Sequence, residues 1–296
     1  MTFAELFRAA GVEPDRIEGE AAVTRASLDS RRCDGETLFV ARTGAAVDGE
    51  AFLDNPATAC LVHSEEGFAR ARSLGKAAAL IPMEGRPDAE WRLMDALYDH
   101  PTRNMTVIGV TGTNGKTSVC WFLRDMLAAI GRRSAYLGTL GLRYPGTDRE
   151  IANTTPFAVE LYGMLAELRD AGVEALAMEV SSHALAEKRC DGVEFDCAVF
   201  TNLTQDHLDL HGTMEAYAAA KMRLFTELPE LSEKTFVSVF NGRDERVAEL
   251  GYELEPDCRL FETLGGADTP MVVAEAWYRD RIVGHIDASG LTENRL

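Results

Sequence analysis

The chain has 296 residues, 30 of them basic and 48 acidic, giving a formal net charge of −18. Hydrophobic residues make up 46% and charged ones 26%, the balance of a packed protein rather than a disordered one, and the length suggests about two domains. The acidic surplus argues against a nucleic-acid binder, and no apolar run approaches the ~20 residues of a membrane helix. The six cysteines are scattered without a C-x-x-C pair, and the N-terminus carries no basic leader, so the expectation is a cytoplasmic chain without disulfides. Small anionic ligands stay open, because backbone amides and a few cations can bind them against the overall field.

Residues 1–103 read as one domain. Apolar runs at 37–41 and 59–62 have strand length, and 66–74 and 88–98 have helical spacing. The polar stretch 99–104 carries Pro101 and marks the boundary, leaving 104–296 as a second domain. There the texture becomes an alternation. A strand at 107–110 and a glycine-containing loop lead into a helix at 116–130, with Phe122, Met126 and Ile130 on one face. A helix at 157–171, strands at 175–180 and 197–201, a helix at 214–224 and a strand at 236–240 follow. This rhythm implies an α/β fold with a mainly parallel sheet covered by helices. Further strands are expected at 271–277 and 282–286.

The strongest chemical signal is Val110-Thr111-Gly112-Thr113-Asn114-Gly115-Lys116-Thr117-Ser118, after a strand and opening a helix. Glycines let a backbone wrap a phosphate, first-turn amides point at it, Lys116 adds charge, and the Thr117 hydroxyl can ligate Mg²⁺. Val110 stands where the strict phosphate-loop pattern has its first glycine, so the loop is the shorter G-x-x-G-K-T. A second cluster, Glu179-Val180-Ser181-Ser182-His183, ends an expected strand, where ligands sit in open parallel sheets. A third runs from Thr201 through Asp206-His207-Leu208-Asp209-Leu210-His211 to Gly212 and suits Mg²⁺ and phosphate chemistry better than zinc. In Asn153-Thr154-Thr155-Pro156, Thr155 and Pro156 read as helix cap and first helical residue. Together these point to ATP-dependent phosphoryl transfer, with kinase, NTPase and acyl-phosphate ligase all open.

The ordered motifs resemble the Mur ligase family of peptidoglycan synthesis, in its tripeptide-synthetase branch. They are Leu28-Asp29-Ser30-Arg31, Leu38-Phe39-Val40-Ala41, the Gly44 to Gly49 loop, the phosphate loop, the Asn153, Glu179 and Phe200-to-Gly212 motifs, and Tyr217-Ala218-Ala219-Ala220-Lys221. The resemblance implies a small N-terminal UDP-binding α/β domain and a central ATP-binding domain. It also implies a ligase that phosphorylates the D-glutamate γ-carboxylate of UDP-MurNAc-L-Ala-D-Glu and lets a diamino acid attack the acyl phosphate. By the same resemblance Gly112, Thr113, Asn114, Gly115, Lys116, Thr117 and Ser118 bind ATP. Thr117, Glu179 and His207 lie at Mg²⁺ sites, and Lys221 matches a lysine that is carbamylated. Lys116, His207 and Lys221 would be the catalytic set. Leu28, Ser30, Ala45, Ala46 and Val47 would hold the UDP end. Asn153, Thr154, Thr155, Ser181 and Arg189 would hold the muramoyl-dipeptide.

Two departures stand out. Glu187 replaces the family's glutamine two residues before the arginine, placing a carboxylate beside an anionic substrate. The family's third, amino-acid-binding domain is not recognisable before Leu296, so the expectation is a chain that binds its UDP substrate without completing the tripeptide. Asp54-Asn55-Pro56-Ala57 superficially resembles a motif of that domain but lacks its arginine and reads as a turn. The rivals are another ligase of the superfamily, such as a folylpolyglutamate synthetase, a non-catalytic nucleotide or UDP-sugar binder, and a bare ATPase.

Overall fold

The computed structural model describes residues 1–44, 47–82, 86, 88–206 and 208–254, with only the backbone of Leu208, and the backbones of three later strands between 258 and 287. The chain divides into two compact units: Met1–Met105, Ile151–Glu174 and His183–Val193 form the first, and Thr106–Glu150, Ala175–Ser182 and Glu194–Leu296 the second. The expected division at 103/104 followed chain order, whereas this one follows packing. Residues 151–174 and 183–193 leave the second stretch of sequence to join the first unit.

The first unit opens with helix α1 (Phe3–Ala10) and strands β1 (Arg16–Glu18), β2 (Arg25–Ser27), β3 (Thr37–Val40) and β4 (Ala59–Val62). Helix α2 (Glu65–Ser73), strand β5 (Ala77–Leu80) and helix α3 (Ala89–Leu97) follow. Thr2 and Glu5 form a reciprocal capping box at the start of α1, and Gly11 closes it in the left-handed conformation. The sheet runs β1-β5-β4-β3-β2, parallel except for β1. β3, β4 and β5 are buried at every residue, as strands covered on both faces must be. The core gathers Phe39, Cys60, Val62, Phe68, Ala71 and Leu80. Asn55 makes the expected turn, its side chain donating to Phe52 O and accepting from Ala57 N.

The second unit begins with β6 (Thr106–Thr111), helix α4 (Lys116–Ala129), β7 (Ser134–Gly138), β8 (Gly141–Tyr144) and β9 (Thr147–Arg149). Helix α5 (Ala158–Asp170) belongs to the first unit and packs on α3 and β2. Then come β10 (Ala175–Glu179), α6 (Ser182–Ala186), which after Ser182 belongs to the first unit, β11 (Cys197–Phe200), α7 (Leu208–His211), α8 (Met214–Thr226), β12 (Val237–Asn241) and α9 (Glu245–Glu253). Strands β13 (Cys258–Leu264), β14 (Val273–Tyr278) and β15 (Arg281–Asp287) end the described chain. The sheet order is β15-β14-β13-β12-β11-β6-β10-β7-β8-β9. From β13 to β7 every pairing is parallel, and antiparallel strands extend both edges. One face packs Val110, Tyr136 and Ala177 against Val119, Cys120 and Leu123 of α4.

One reading gains a direction and one needs correction. The shared face of Phe122, Met126 and Ile130 looks outward, since those residues are 63%, 65% and 75% exposed. Cys120 turns inward instead, because α4 carries apolar residues on two sides and periodicity does not say which meets the sheet. Thr155 is not the cap of α5. Phe157 takes that place in extended conformation, and Thr155 is buried with its carbonyl accepting from Arg189. Among the described residues no helix is long and apolar enough to cross a membrane.

Candidate functional site

In the second unit the loop from β6 into α4 is built by two glycines with positive φ. Gly112 stands at +141° and Gly115 at +84°. A Cβ on Gly112 would run into the Thr201 side chain, so only glycine lets the loop lie against the end of β11. The loop is latched there. Thr113 N donates to Asn202 O at 2.9 Å, Asn114 N to Asn202 Oδ1 at 2.9 Å, and Thr201 Oγ1 to Asn114 O at 2.7 Å. Lys116 Nζ donates to Gly112 O and Thr113 O at 2.9 and 3.0 Å, holding its ammonium over the loop. Burial pushes this lysine below its ordinary pKa, and Glu179 and Asp206 pull it back. Thr117 and Ser118 lie in the first turn of α4, where amides and helix dipole favour an anion.

Glu179 ends β10 beside Val110 of β6 and is fully buried. Its carboxylate accepts from the Tyr136 hydroxyl, from Thr139 N at 3.0 Å and from Thr139 Oγ1 at 3.1 Å. Lys221 of α8 is 1% exposed, with Nζ 2.9 Å from Gly112 O and 4.4 Å from the Tyr217 ring centre. Burial first, then the nearby Lys116 charge, lowers its pKa to about 7, against a smaller opposing pull from Asp206. The loop, Glu179 and Lys221 thus converge at the C-terminal edge of β6 and β10. Ser181 follows β10, and Ser182 lies 3.1 Å from His211 Nε2.

That lysine makes stability depend on pH with a definite sign. Between its folded pKa of about 7 and its ordinary 10.5, Lys221 binds fewer protons folded than unfolded, so stability rises with pH across that window. Lys221→Met keeps the bulk and removes the titration. Chemical denaturation in metal-free, CO₂-free buffer is expected to show the variant more stable below pH 7, by on the order of 5 kcal/mol, with the gap closing by about pH 10.5. A pH-independent gap would contradict the buried-amine assignment.

The first unit holds most residues expected at the UDP substrate. Leu28 and Ser30 are half-buried around the turn of Asp29, whose carboxylate binds Arg31 and is held at about 2 mainly by that guanidinium. Val47 is exposed, on a loop braced where Gly49 N donates to Arg42 O at 2.8 Å. Asn153 and Thr154 are half-buried ahead of α5. Arg189 NH1 donates to Thr155 O at 3.1 Å, and Glu187, though exposed, turns its carboxylate onto Arg189. Ala45, Ala46 and His207 lie outside the described residues. Sequence reasoning passed over Tyr136 and Thr139 as partners of Glu179 and assigned no role to Thr201 or Asn202. The last two stood inside a motif already singled out, whereas nothing local marks the first two.

Residues 110–280 match the Mur ligase middle domain. The chain belongs to the Mur ligase family. A UDP-N-acetylmuramoyl-L-alanyl-D-glutamate–2,6-diaminopimelate ligase from Synechococcus elongatus is 40% identical over 261 residues, covering 87% of this Mur ligase chain and 52% of the relative. A Staphylococcus haemolyticus relative named as the corresponding L-lysine ligase is 41% identical over 227 residues, covering 75% of the chain and 45% of that protein. The chain therefore spans about half the length of the curated relatives it matches. Among solved structures, a UDP-N-acetylmuramoyl-L-alanyl-D-glutamate–2,6-diaminopimelate ligase superposes with a TM-score of 0.70 at 24% identity. That match covers 95% of the chain and 58% of the other protein, and it establishes the Mur ligase fold.

Proposed function

We propose that the chain serves an ATP-dependent ligase reaction in which UDP-MurNAc-L-Ala-D-Glu is extended by a diamino acid through an acyl phosphate. The observation that carries this reading is the convergence of the glycine loop, Glu179 and Lys221 in one unit of a Mur ligase fold. Two relatives named for this reaction, each about 40% identical, support the substrate.

A carboxylate is a poor electrophile, and phosphorylation gives it a leaving group whose developing charge needs cations. In this reading Gly112 to Ser118 wrap the ATP phosphates and Lys116 neutralises the transferring group. Leu28, Ser30, Ala45, Ala46 and Val47, within an N-terminal domain 1–103, hold the UDP end. Asn153, Thr154, Thr155, Ser181 and Arg189 orient the dipeptide, and the part of 104–296 that forms the second unit serves as the ATP domain. Thr117, Glu179 and His207 supply the hard oxygen and imidazole donors that suit Mg²⁺. When bound, Mg²⁺ would offset phosphate charge. An unmodified Lys221 ammonium would repel it, but burial favours the neutral amine, which can form a C–N bond to CO₂ and release a proton. The buried Thr111 hydroxyl next to Gly112 has no hydrogen-bond partner among the described residues.

The test is ADP formation by the purified chain with Mg²⁺ and ATP. Stimulation by UDP-MurNAc-L-Ala-D-Glu but not by UDP-MurNAc-L-Ala supports the reading. Turnover indifferent to both ligands would instead mark a bare ATPase.

A further inference from the structure

Arg189 meets the chain's own oxygens at each of its three guanidinium nitrogens. Nε and NH2 lie 3.0 and 2.9 Å from one oxygen, Oε2 of Glu187, and NH1 lies 3.1 Å from Thr155 O. A guanidinium binds a carboxylate best along an edge that presents two parallel N–H groups. The Nε/NH2 edge is taken by Glu187, and the NH1/NH2 edge is half taken by Thr155.

The arginine is also fixed from its flat side. Its guanidinium lies 4.1 Å from the centre of the Phe157 ring, and the same ring carries the Arg42 guanidinium at 4.5 Å. Arg42 in turn pairs with buried Glu90 at 3.2 Å. The Arg189 side chain is 10% exposed, whereas that of Glu187 is 42% exposed. Of the pair, Glu187 is the partner that can swing into water. The setting is already rich in carboxylates: burial pushes both Glu90 and Glu160 above the usual range, and Arg189 is one of the cations pulling each back. A further carboxylate arriving with a ligand would meet like charge unless Glu187 withdrew.

We propose that Glu187 is a specificity-determining residue, an internal carboxylate that competes with the carboxylate of an incoming ligand for the paired N–H edge of Arg189. This rests on the reading that Arg189 holds the muramoyl-dipeptide. The dipeptide's carboxylate displaces Glu187 on binding, and affinity is lowered by the exchange. Ligands without such a carboxylate bind without disturbing the pair. The glutamine that the family uses at this position would impose no such competition.

Calorimetric titrations of UDP-MurNAc-L-Ala-D-Glu and of UDP-GlcNAc, which lacks the lactyl-peptide arm, test the proposal. The forms needed are the parent chain, Glu187→Gln, Glu187→Ala, Arg189→Ala and the double variant Glu187→Gln with Arg189→Ala. Glu187→Gln and Glu187→Ala are each expected to bind the dipeptide ligand about tenfold more tightly, the change that ~1.4 kcal/mol makes, and UDP-GlcNAc unchanged. In the Arg189→Ala background Glu187→Gln is expected to change nothing. A residue that merely props Arg189 would give the opposite sign, with weaker dipeptide binding in both Glu187 variants. Weaker or unaltered dipeptide binding alongside intact UDP-GlcNAc binding overturns the competition alone. Failure of every form to bind either ligand overturns the functional reading and the competition with it.

Discussion

Lys116→Ala is expected to weaken ATP binding by roughly 100-fold or more while leaving the fold in place. Among the described residues its ammonium hydrogen-bonds to the loop carbonyls of Gly112 and Thr113, so the substitution removes a cation rather than core packing. The stability change should stay within about 1 kcal/mol, because a partly desolvated cation is lost together with its bonds. Calorimetry with ATP and Mg²⁺, with circular dichroism as the folding control, reads both quantities. Unchanged affinity in a folded variant would remove the loop from nucleotide binding.

Substitution of Glu179 separates architecture from chemistry. Glu179→Ala leaves the Thr139 amide and the Tyr136 hydroxyl without their shared acceptor in a fully buried setting. The expected loss is roughly 2–4 kcal/mol, from unsatisfied donors and the cavity. Glu179→Gln keeps the volume and one acceptor oxygen, so its cost should stay below ~1.5 kcal/mol. Both variants lose the negative charge that suits Mg²⁺, and substrate-stimulated ADP formation is expected to fall at least ~100-fold in each. Thermal unfolding beside the ADP assay reads the two effects separately. A stable Glu179→Gln chain with full turnover would leave Glu179 a purely structural residue.

Much of the second unit was legible in its sequence for a physical reason. Parallel strands buried on both faces are continuous apolar runs, and β10 announces itself as such, while β6 and β11 are largely apolar runs although Thr106, Ile108, Cys197 and Val199 are half-buried. The glycine loop is local chemistry, readable because Gly112, Gly115 and Lys116 act within one turn of chain. The hairpin of β8 and β9 escaped notice although Pro145-Gly146 is a turn signal, with Gly146 at φ +83°. What sequence could not show is sheet order. β10 lies between β6 and β7, and that alone brings Glu179 to Tyr136 and Thr139 across some forty positions. The Glu187 departure was visible at once, but its turn onto Arg189, and the clamp that Phe157 and Arg42 make beside it, belong to tertiary packing.

The central claim is that this chain activates a carboxylate by phosphorylation, and hydroxylamine tests it most directly. Hydroxylamine is small enough to reach an acyl phosphate without a dedicated binding pocket. It would replace the diamino acid as nucleophile and leave a stable hydroxamate. The chain is incubated with ATP, Mg²⁺, UDP-MurNAc-L-Ala-D-Glu and hydroxylamine, and the products are resolved by mass spectrometry. The account predicts a hydroxamate on the D-glutamate γ-carboxyl, formed together with ADP and absent from Lys116→Ala. ADP accumulating with no hydroxamate, or hydroxamate undiminished in Lys116→Ala, would contradict it.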